Sequence, residues 1–285
     1  MCASWIWGRR PRFAATIRSK LLLDVNMTRR GGQFEERIVS LAPNATSILF
    51  AIGARRSVVG VSKWCGEVAP VGRLARVGDC WKLDVREVAA LRPSLIVGSV
   101  PFRPEVVAEL LKLPAAFVAL NPRSLEDIYA DIRRLGGLTD RRAAAEKLIS
   151  RMTRQFAEVG RLAARAQSRL RVYAEAWPNP RISSPPWVAE LVKLEGGKMI
   201  VAGGERVSDA QVAKAAPEVI VLAWTATGQR ADPQRTLENP RWCNVPAVKN
   251  RRVVVIRDEL LNTPGPPLVE GARALLRAIH PELVR

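Results

Sequence analysis

The chain has 285 residues, 48% of them apolar and 25% charged. That is enough apolar residue for a sizeable core and close to the upper size that one core serves, so two sub-domains are expected; disorder and a fibrous fold are excluded. The net charge is +18, and 36 of the 45 basic residues are Arg.

A basic surplus can serve nucleic acid or an anionic membrane. Here it is spread along the chain, as Arg on solvated helix faces would be. Only the N-terminus concentrates it. No basic patch with interleaved aromatics stands outside Trp5 and Trp7, so no nucleic-acid role is expected. No run approaches the roughly 20 apolar residues that span a bilayer.

Residues 1–35 read as an N-terminal extension expected to be poorly ordered. Arg9, Arg10, Arg12, Arg18 and Lys20 interrupt each apolar run, so no secretory signal is read there, and Met27 is an alternative start. From Arg37 the pattern becomes regular. Arg37–Leu41 reads as a strand, with Asn44 as N-cap of a helix over Ala45–Ile52. Val58–Ser62 is a strand. Asp84–Leu91 is a helix that stops before Pro93 and leads into a strand over Ser94–Ser99. Pro104–Leu111 is a helix with Pro in its first turn. Ala115–Leu120 is a strand, and Ser124 with Asp127 opens a helix to about Leu135. Such alternation predicts a parallel sheet with helices on both faces.

The rhythm then breaks. Thr139 to about Ala166 is rich in Ala, Arg, Glu and Leu, with Ala144, Leu148, Met152, Phe156, Val159 and Leu162 at helical spacing. A helix of about 28 residues spans roughly 42 Å, longer than an ordinary crossover. Alternation resumes with a strand over Leu170–Ala176, a helix over Val188–Leu194 and a turn at Gly196-Gly197. Gly136-Gly137 reads the same way, as a helix C-terminal turn. A helix capped by Ser208 follows, then strands over Val219–Trp224 and Val253–Ile256 and a closing helix over Pro267–Ile279. The fold class is therefore α/β: two Rossmann-like lobes with parallel sheets joined by one long rigid helix. The organisation is an extension over 1–35, a first lobe over 36–136, a connecting helix over 137–167 and a second lobe over 168–285.

In open parallel sheets, ligands bind at the carboxyl ends of strands. Five of the eight Trp fall in loops at those ends: Trp64, Trp81, Trp177, Trp187 and Trp224. Either each packs its own lobe, or together they wall a cleft for a large, flat, partly apolar ligand. Glu175, beside Trp177, either touches a ligand or pairs with an Arg. Catalytic constellations are missing: no G-x-S-x-G, no phosphate loop and no His placed as a base. Cys2, Cys65, Cys80 and Cys243 form no C-x-x-C and His280 is the sole His, so neither a metal site nor a resident cofactor is expected. A Cys65–Cys80 disulfide stays open. His280, before Pro281, reads as a packing or helix-end residue.

Several segments together resemble the periplasmic binding-protein family for ferric siderophores and cobalamin, in its cobalamin-binding branch. They are Arg37-Ile-Val-Ser-Leu-Ala-Pro-Asn-Ala-Thr46, Val59-Gly-Val-Ser62, Val88-Ala-Ala-Leu-Arg-Pro93 with Leu95-Ile-Val97, Glu175-Ala-Trp177, Trp187-Val-Ala-Glu-Leu191, Gly196-Gly197, Pro264-Gly-Pro-Pro-Leu-Val-Glu-Gly271 and His280-Pro-Glu282. The resemblance runs from about Arg37 to Glu282. It implies limited hinge motion, no enzymatic activity, and a ligand such as cobalamin held between the lobes for delivery to an ABC importer permease. It implies ligand contacts at Pro43, Asn44, Trp64 and Trp81 in the first lobe. In the second it implies Trp177, Trp187 and the Asn262–Pro264 loop; Glu175 and Trp224 join these from their strand-end positions. It also implies a periplasmic, monomeric protein.

The chain departs from the family where members dock on the permease through one Glu per lobe. The matching positions hold Arg86 and Ala210, with Glu87 and Asp209 alongside. One residue along a helix turns a side chain by about 100°, so neither neighbour is an equivalent docking group. That leaves an intracellular binding or sensing protein of the same fold, in the cytoplasm, as one alternative, and a metal-dependent enzyme on Rossmann-like halves as another.

Overall fold

The computed structural model describes residues 36–79, 82–225 and 231–284. The expectations for residues 1–35, Cys80 and Trp81 lie outside the described residues.

In the first lobe the strands are β1 (Ile38–Ser40), β2 (Val58–Ser62), β3 (Ala75–Val77), β4 (Leu95–Ser99) and β5 (Ala116–Leu120). They form one sheet in the order β3-β2-β1-β4-β5, every pair parallel. Their crossovers carry α1 (Pro43–Ala51), α2 (Val85–Ala90) and α3 (Pro104–Leu110), and α4 (Leu125–Leu138) follows β5. The helix starts follow local chemistry. Asp84 caps α2 by accepting the Arg86 amide, Ser124 caps α4 by accepting the Asp127 amide, and Pro opens α1 and α3. The expected cap at Asn44 is not made: α1 starts one residue earlier, at Pro43, with Ala42 as N-cap. Pro43 fixes its own φ near the helical value, so no side-chain cap is needed to set the entry.

The helix expected from Thr139 is shorter. It runs as α5 (Arg142–Ala163), separated from α4 by a break in which Asp140 takes φ 53. Gly136-Gly137 falls in the C-terminal turn of α4, as expected, and there a Cβ on Gly136 would come within 2.5 Å of the Ala145 Cβ. The missing side chain lets the two helices approach. Leu148, Met152 and Phe156 turn inward along α5, as their spacing predicts.

The second lobe holds β6 (Arg171–Pro178), β7 (Arg181–Ser183), α6 (Pro186–Leu194), β8 (Lys198–Met199), α7 (Asp209–Ala215), β9 (Val219–Leu222), α8 (Pro233–Leu237), α9 (Pro246–Lys249), β10 (Val253–Val255), α10 (Asp258–Asn262) and α11 (Leu268–Ile279). Its sheet runs β10-β9-β6-β7, with β8 also on β6. The short strands β3, β7 and β8 escape a reading by alternation, and β7 is antiparallel to β6. Ser208 and Gln211 complete a reciprocal capping box on α7.

Helix α5 packs against α4 of the first lobe and against α6 and α11 of the second. One apolar cluster runs through both lobes, from Ile38, Ile48 and Leu135 to Val172, Leu191 and Leu275. The lobes also meet polar to polar, where the Leu125 amide donates to Glu190 Oε1 at 3.2 Å. A shared core of this kind restrains hinge motion.

Gly271 on α11 lies so close to α10 that a Cβ would come within 2.0 Å of the Leu260 carbonyl oxygen. Helix propensity alone favours Gly→Ala by about 1 kcal/mol. Here the clash is with backbone and dominates, so Gly271→Ala should lower stability by roughly 1–3 kcal/mol in urea unfolding. A neutral or stabilised variant would show that α10 yields freely.

Candidate functional site

In the first sheet the strand order reverses between β1 and β4, and that crevice is where ligands bind in this architecture. Asn44 and Ser99 frame it, with Asn44 Nδ2 donating to Ser99 Oγ at 3.4 Å. Asn44 is buried and Pro43 half-buried beside it. Trp64 follows β2 and is 38% exposed. Its Nε1–H donates to Asp79 Oδ2 at 3.2 Å, and the Lys63 ammonium pairs with the same oxygen at 2.8 Å while sitting 4.8 Å from the indole centre. The ring is thus tethered by its N–H edge, with a cation against one face.

Beneath it Cys65 is fully buried, with the Thr46 and Ser62 hydroxyls 2.9 and 3.1 Å from Sγ. Burial pushes the thiol's pKa up. It is a free cysteine; the pairing left open for it involves Cys80, which lies outside the described residues.

In the second sheet the order reverses between β6 and β9. There Trp177 is 39% exposed, its Nε1–H donating to the Asn179 carbonyl at 2.8 Å within the β6–β7 hairpin. The other second-lobe candidates lie deeper. Glu175 has no exposed surface. Its Oε1 accepts the Trp224 Nε1–H at 2.9 Å, and its Oε2 accepts the Tyr173 hydroxyl at 2.9 Å and the Arg181 guanidinium at 2.8 Å. This corrects the expectation of a ligand contact: Glu175 takes the other reading, pairing with an Arg. Burial first, and then the Glu175 charge, push the Tyr173 hydroxyl pKa up. Trp224 is 5% exposed, and Trp187 is 8% exposed with its Nε1–H on the Leu261 carbonyl at 2.8 Å. Both indoles satisfy their N–H inward and serve as core, so of the two readings these two take packing in their own lobe.

Asn262 ties the β9 loop to α10, donating to the Ala223 carbonyl at 2.7 Å and Thr225 Oγ1 at 3.2 Å. Pro264 is buried. The next residue, Gly265, sits against α1 of the first lobe, where a Cβ would lie 3.1 Å from Ser47 Oγ. The loop is therefore part of the seam between the lobes, beside Asn44.

Of the two displaced docking residues, Glu87 is exposed on α2, next to an Arg86 paired with Asp84. Asp209 is not available as a docking group. Its Oδ1 accepts Arg181 Nε at 2.6 Å, and its Oδ2 lies 3.5 Å from Arg241. The Arg181 guanidinium also stacks 4.3 Å from the Trp242 ring. This cluster ties Glu175 and Arg181 of the β6–β7 hairpin to Asp209, 28 residues beyond Arg181, and no local motif announces it. Asp79, which anchors Trp64, is hidden for the same reason.

The side chains that ligate haem iron are His, Tyr, Cys and Met. The sole His, His280, is buried beyond the end of α11 with Nδ1 2.9 Å from Glu282. Tyr173 and Cys65 are engaged as above, Tyr129 lies on α4, Met152 on α5 and Met199 on β8. Cys243 is exposed, next to the Pro240–Trp242 turn. Met199 ends β8 but packs against the core; among the described residues none of these stands free at the ends of β1, β2, β4, β6 or β9, and no group of three His, Cys, Asp or Glu could hold a metal ion.

Comparison with known proteins agrees with this architecture. The family model described as periplasmic binding protein matches residues 38–260. An ABC transporter substrate-binding lipoprotein of Bacillus subtilis is 25% identical, over 87% of this chain and 81% of its own. The vitamin B12-binding protein of Pectobacterium carotovorum is 24% identical, over 86% and 90%. The solved haem-binding protein of a Roseiflexus species superposes with a TM-score of 0.74 at 23% identity, covering 87% of this chain and 99% of that one. That last likeness is one of fold.

Proposed function

This chain belongs to the periplasmic binding protein family, and from that premise we propose that it captures a bulky, flat ligand that carries its own metal ligands, a corrinoid such as cobalamin first. The observation that carries this reading is the pair of half-exposed indoles, one on each lobe. Trp64 and Trp177 both stand at the C-terminal end of a strand with their N–H groups tied down. A tethered indole offers a large rigid surface at low entropic cost. With no free His, Tyr, Cys or Met among the described residues at those ends, the site suits a coordinatively complete guest better than a haem whose iron seeks a protein ligand. The likeness to a vitamin B12-binding protein supports the same choice.

Binding is burial between the lobes, without bond chemistry. The protein acts as a monomer outside the cytoplasmic membrane and delivers to an ABC importer, a role supported by its likeness to the Bacillus lipoprotein. Of the two docking-site neighbours, only Glu87 is open to a permease.

Titration with cobalamin, followed by Trp fluorescence and equilibrium dialysis, should show saturable binding. Trp64→Ala with Trp177→Ala should weaken it by about 2 kcal/mol or more, roughly 30-fold. A flat response to cobalamin with a clear response to a ferric siderophore would change the ligand. Undiminished affinity in the double variant would remove the indoles from the site.

A further inference from the structure

We propose that the groove between the edge strand β10 and helix α11 is a docking slot for an extended acidic peptide segment of a protein partner, which adds to the second sheet as a further strand. The slot is a cavity of about 530 Å³, walled by Arg252, Val254 and Arg257 on one side and by Ala274, Arg277 and Ala278 on the other. It does not touch Trp64, Trp177 or the seam at Gly265, and it stands independently of the ligand reading.

The backbone provides the first argument. Strand β10 pairs with β9 alone, in parallel. The Arg252 carbonyl accepts the Ile220 amide and the Ile256 amide donates to the Leu222 carbonyl, each at 3.0 Å. In a parallel strand the peptide groups alternate between the two edges. Those of residues 252, 254 and 256 face β9, so those of Val253 and Val255 face away from it. Helix α8 also packs against β10, on the side of Val253 and Val255; an added strand running clear of it would meet these donors and acceptors at one edge and the small side chains Ala274 and Ala278 on the opposite face.

Charge provides the second. Three guanidiniums and no carboxylate line the slot. Arg252 is fixed in place, donating to the Ala278 and Ile279 carbonyls at 3.2 and 2.8 Å. Arg257 is partly offset by Glu259. Arg277 is exposed and has no ion-pair partner among the described residues. Edge strands are commonly protected by charge; here the protecting charge is positive and selects an acidic visitor. A second copy of this chain, at +18, is the partner it repels. An anionic membrane would satisfy the arginines but leave the strand edge unused.

The probe is a fluorescein-labelled, amidated hexapeptide of alternating Glu and Val, added to the full chain and followed by anisotropy. Saturable binding is expected. It should weaken at least tenfold when every backbone nitrogen of the peptide is methylated, and about tenfold in Arg277→Glu, an exposed position whose change leaves the melting curve in place. Cobalamin should neither compete with nor enhance it. The proposal is overturned by no saturable binding, by equal binding of the methylated peptide, or by equal binding of the Lys-for-Glu peptide. It is also overturned if phosphatidylglycerol vesicles, and not the peptide, retain the chain in an Arg277-dependent way.

Discussion

Replacing Glu195 with Gln is expected to leave stability nearly unchanged at pH 4 and to raise it by about 3–4 kcal/mol at pH 7. Glu195 ends α6 with no exposed surface, and neither carboxyl oxygen has a hydrogen-bond partner. Burial pushes its pKa up to about 9. Its place at a helix C-terminus disfavours a negative charge in the same sense. Below the ordinary Glu pKa, folded and unfolded chains both carry the proton, and its full contribution is present. As pH rises from about 4.5 towards 9, the unfolded chain ionises while the folded one holds its proton, so stability falls by about 1.4 kcal/mol per unit. Above about 9 both forms are ionised and the loss levels off. Gln keeps the shape and removes the titration, so its advantage should open between pH 4.5 and 9. Urea unfolding of both proteins across that range measures it. Parallel profiles would show that the carboxyl is hydrated in the fold.

Glu195 also marks where sequence reading ends. The strands Val58–Ser62 and Leu95–Ser99 are legible because β-branched runs are bounded by residues that turn the chain, and Ser208 and Ser124 announce their helices through capping that needs only neighbours. The break between α4 and α5 carries no Pro, and it depends on Gly136 meeting Ala145 across the helix pair. The site divides in the same way. All five strand-end Trp give one signal in the sequence. Trp64 and Trp177 keep 38 and 39% of their surface exposed against 8 and 5% for Trp187 and Trp224, and the difference follows the partner that each N–H finds: Asp79 and Asn179, or Leu261 and Glu175. Asn179 is two residues from its Trp, but the other partners lie 15, 49 and 74 residues away, beyond any local pattern. The family resemblance places the Asn262–Pro264 loop at the ligand, and the fold places it at the seam between the lobes. Both hold if the ligand sits against the seam.

Replacing Arg181 with Met is expected to lower the free energy of unfolding by about 3–5 kcal/mol, the range for stranding one member of a buried ion pair. One guanidinium serves two carboxylates here, through Nη1 to Glu175 and Nε to Asp209, while its face lies on Trp242. Met fills much of the same volume and keeps the contact with the indole, so the loss is electrostatic more than one of packing. Asp209 is partly exposed and can turn to water or to Arg241; Glu175 cannot. Adding Glu175→Gln to Arg181→Met should therefore recover a large part of the loss, even though it removes a second native partner. Lys at 181 restores charge but has no planar fork to hold both acids, and should recover less. Ligand binding should follow the same order, because Arg181 anchors the hairpin that carries Trp177. A double-mutant cycle in urea, with cobalamin affinity measured on each folded variant, tests both. If Glu175→Gln makes Arg181→Met worse by its full single-variant effect, the two residues are not coupled and the hairpin is held by its backbone alone.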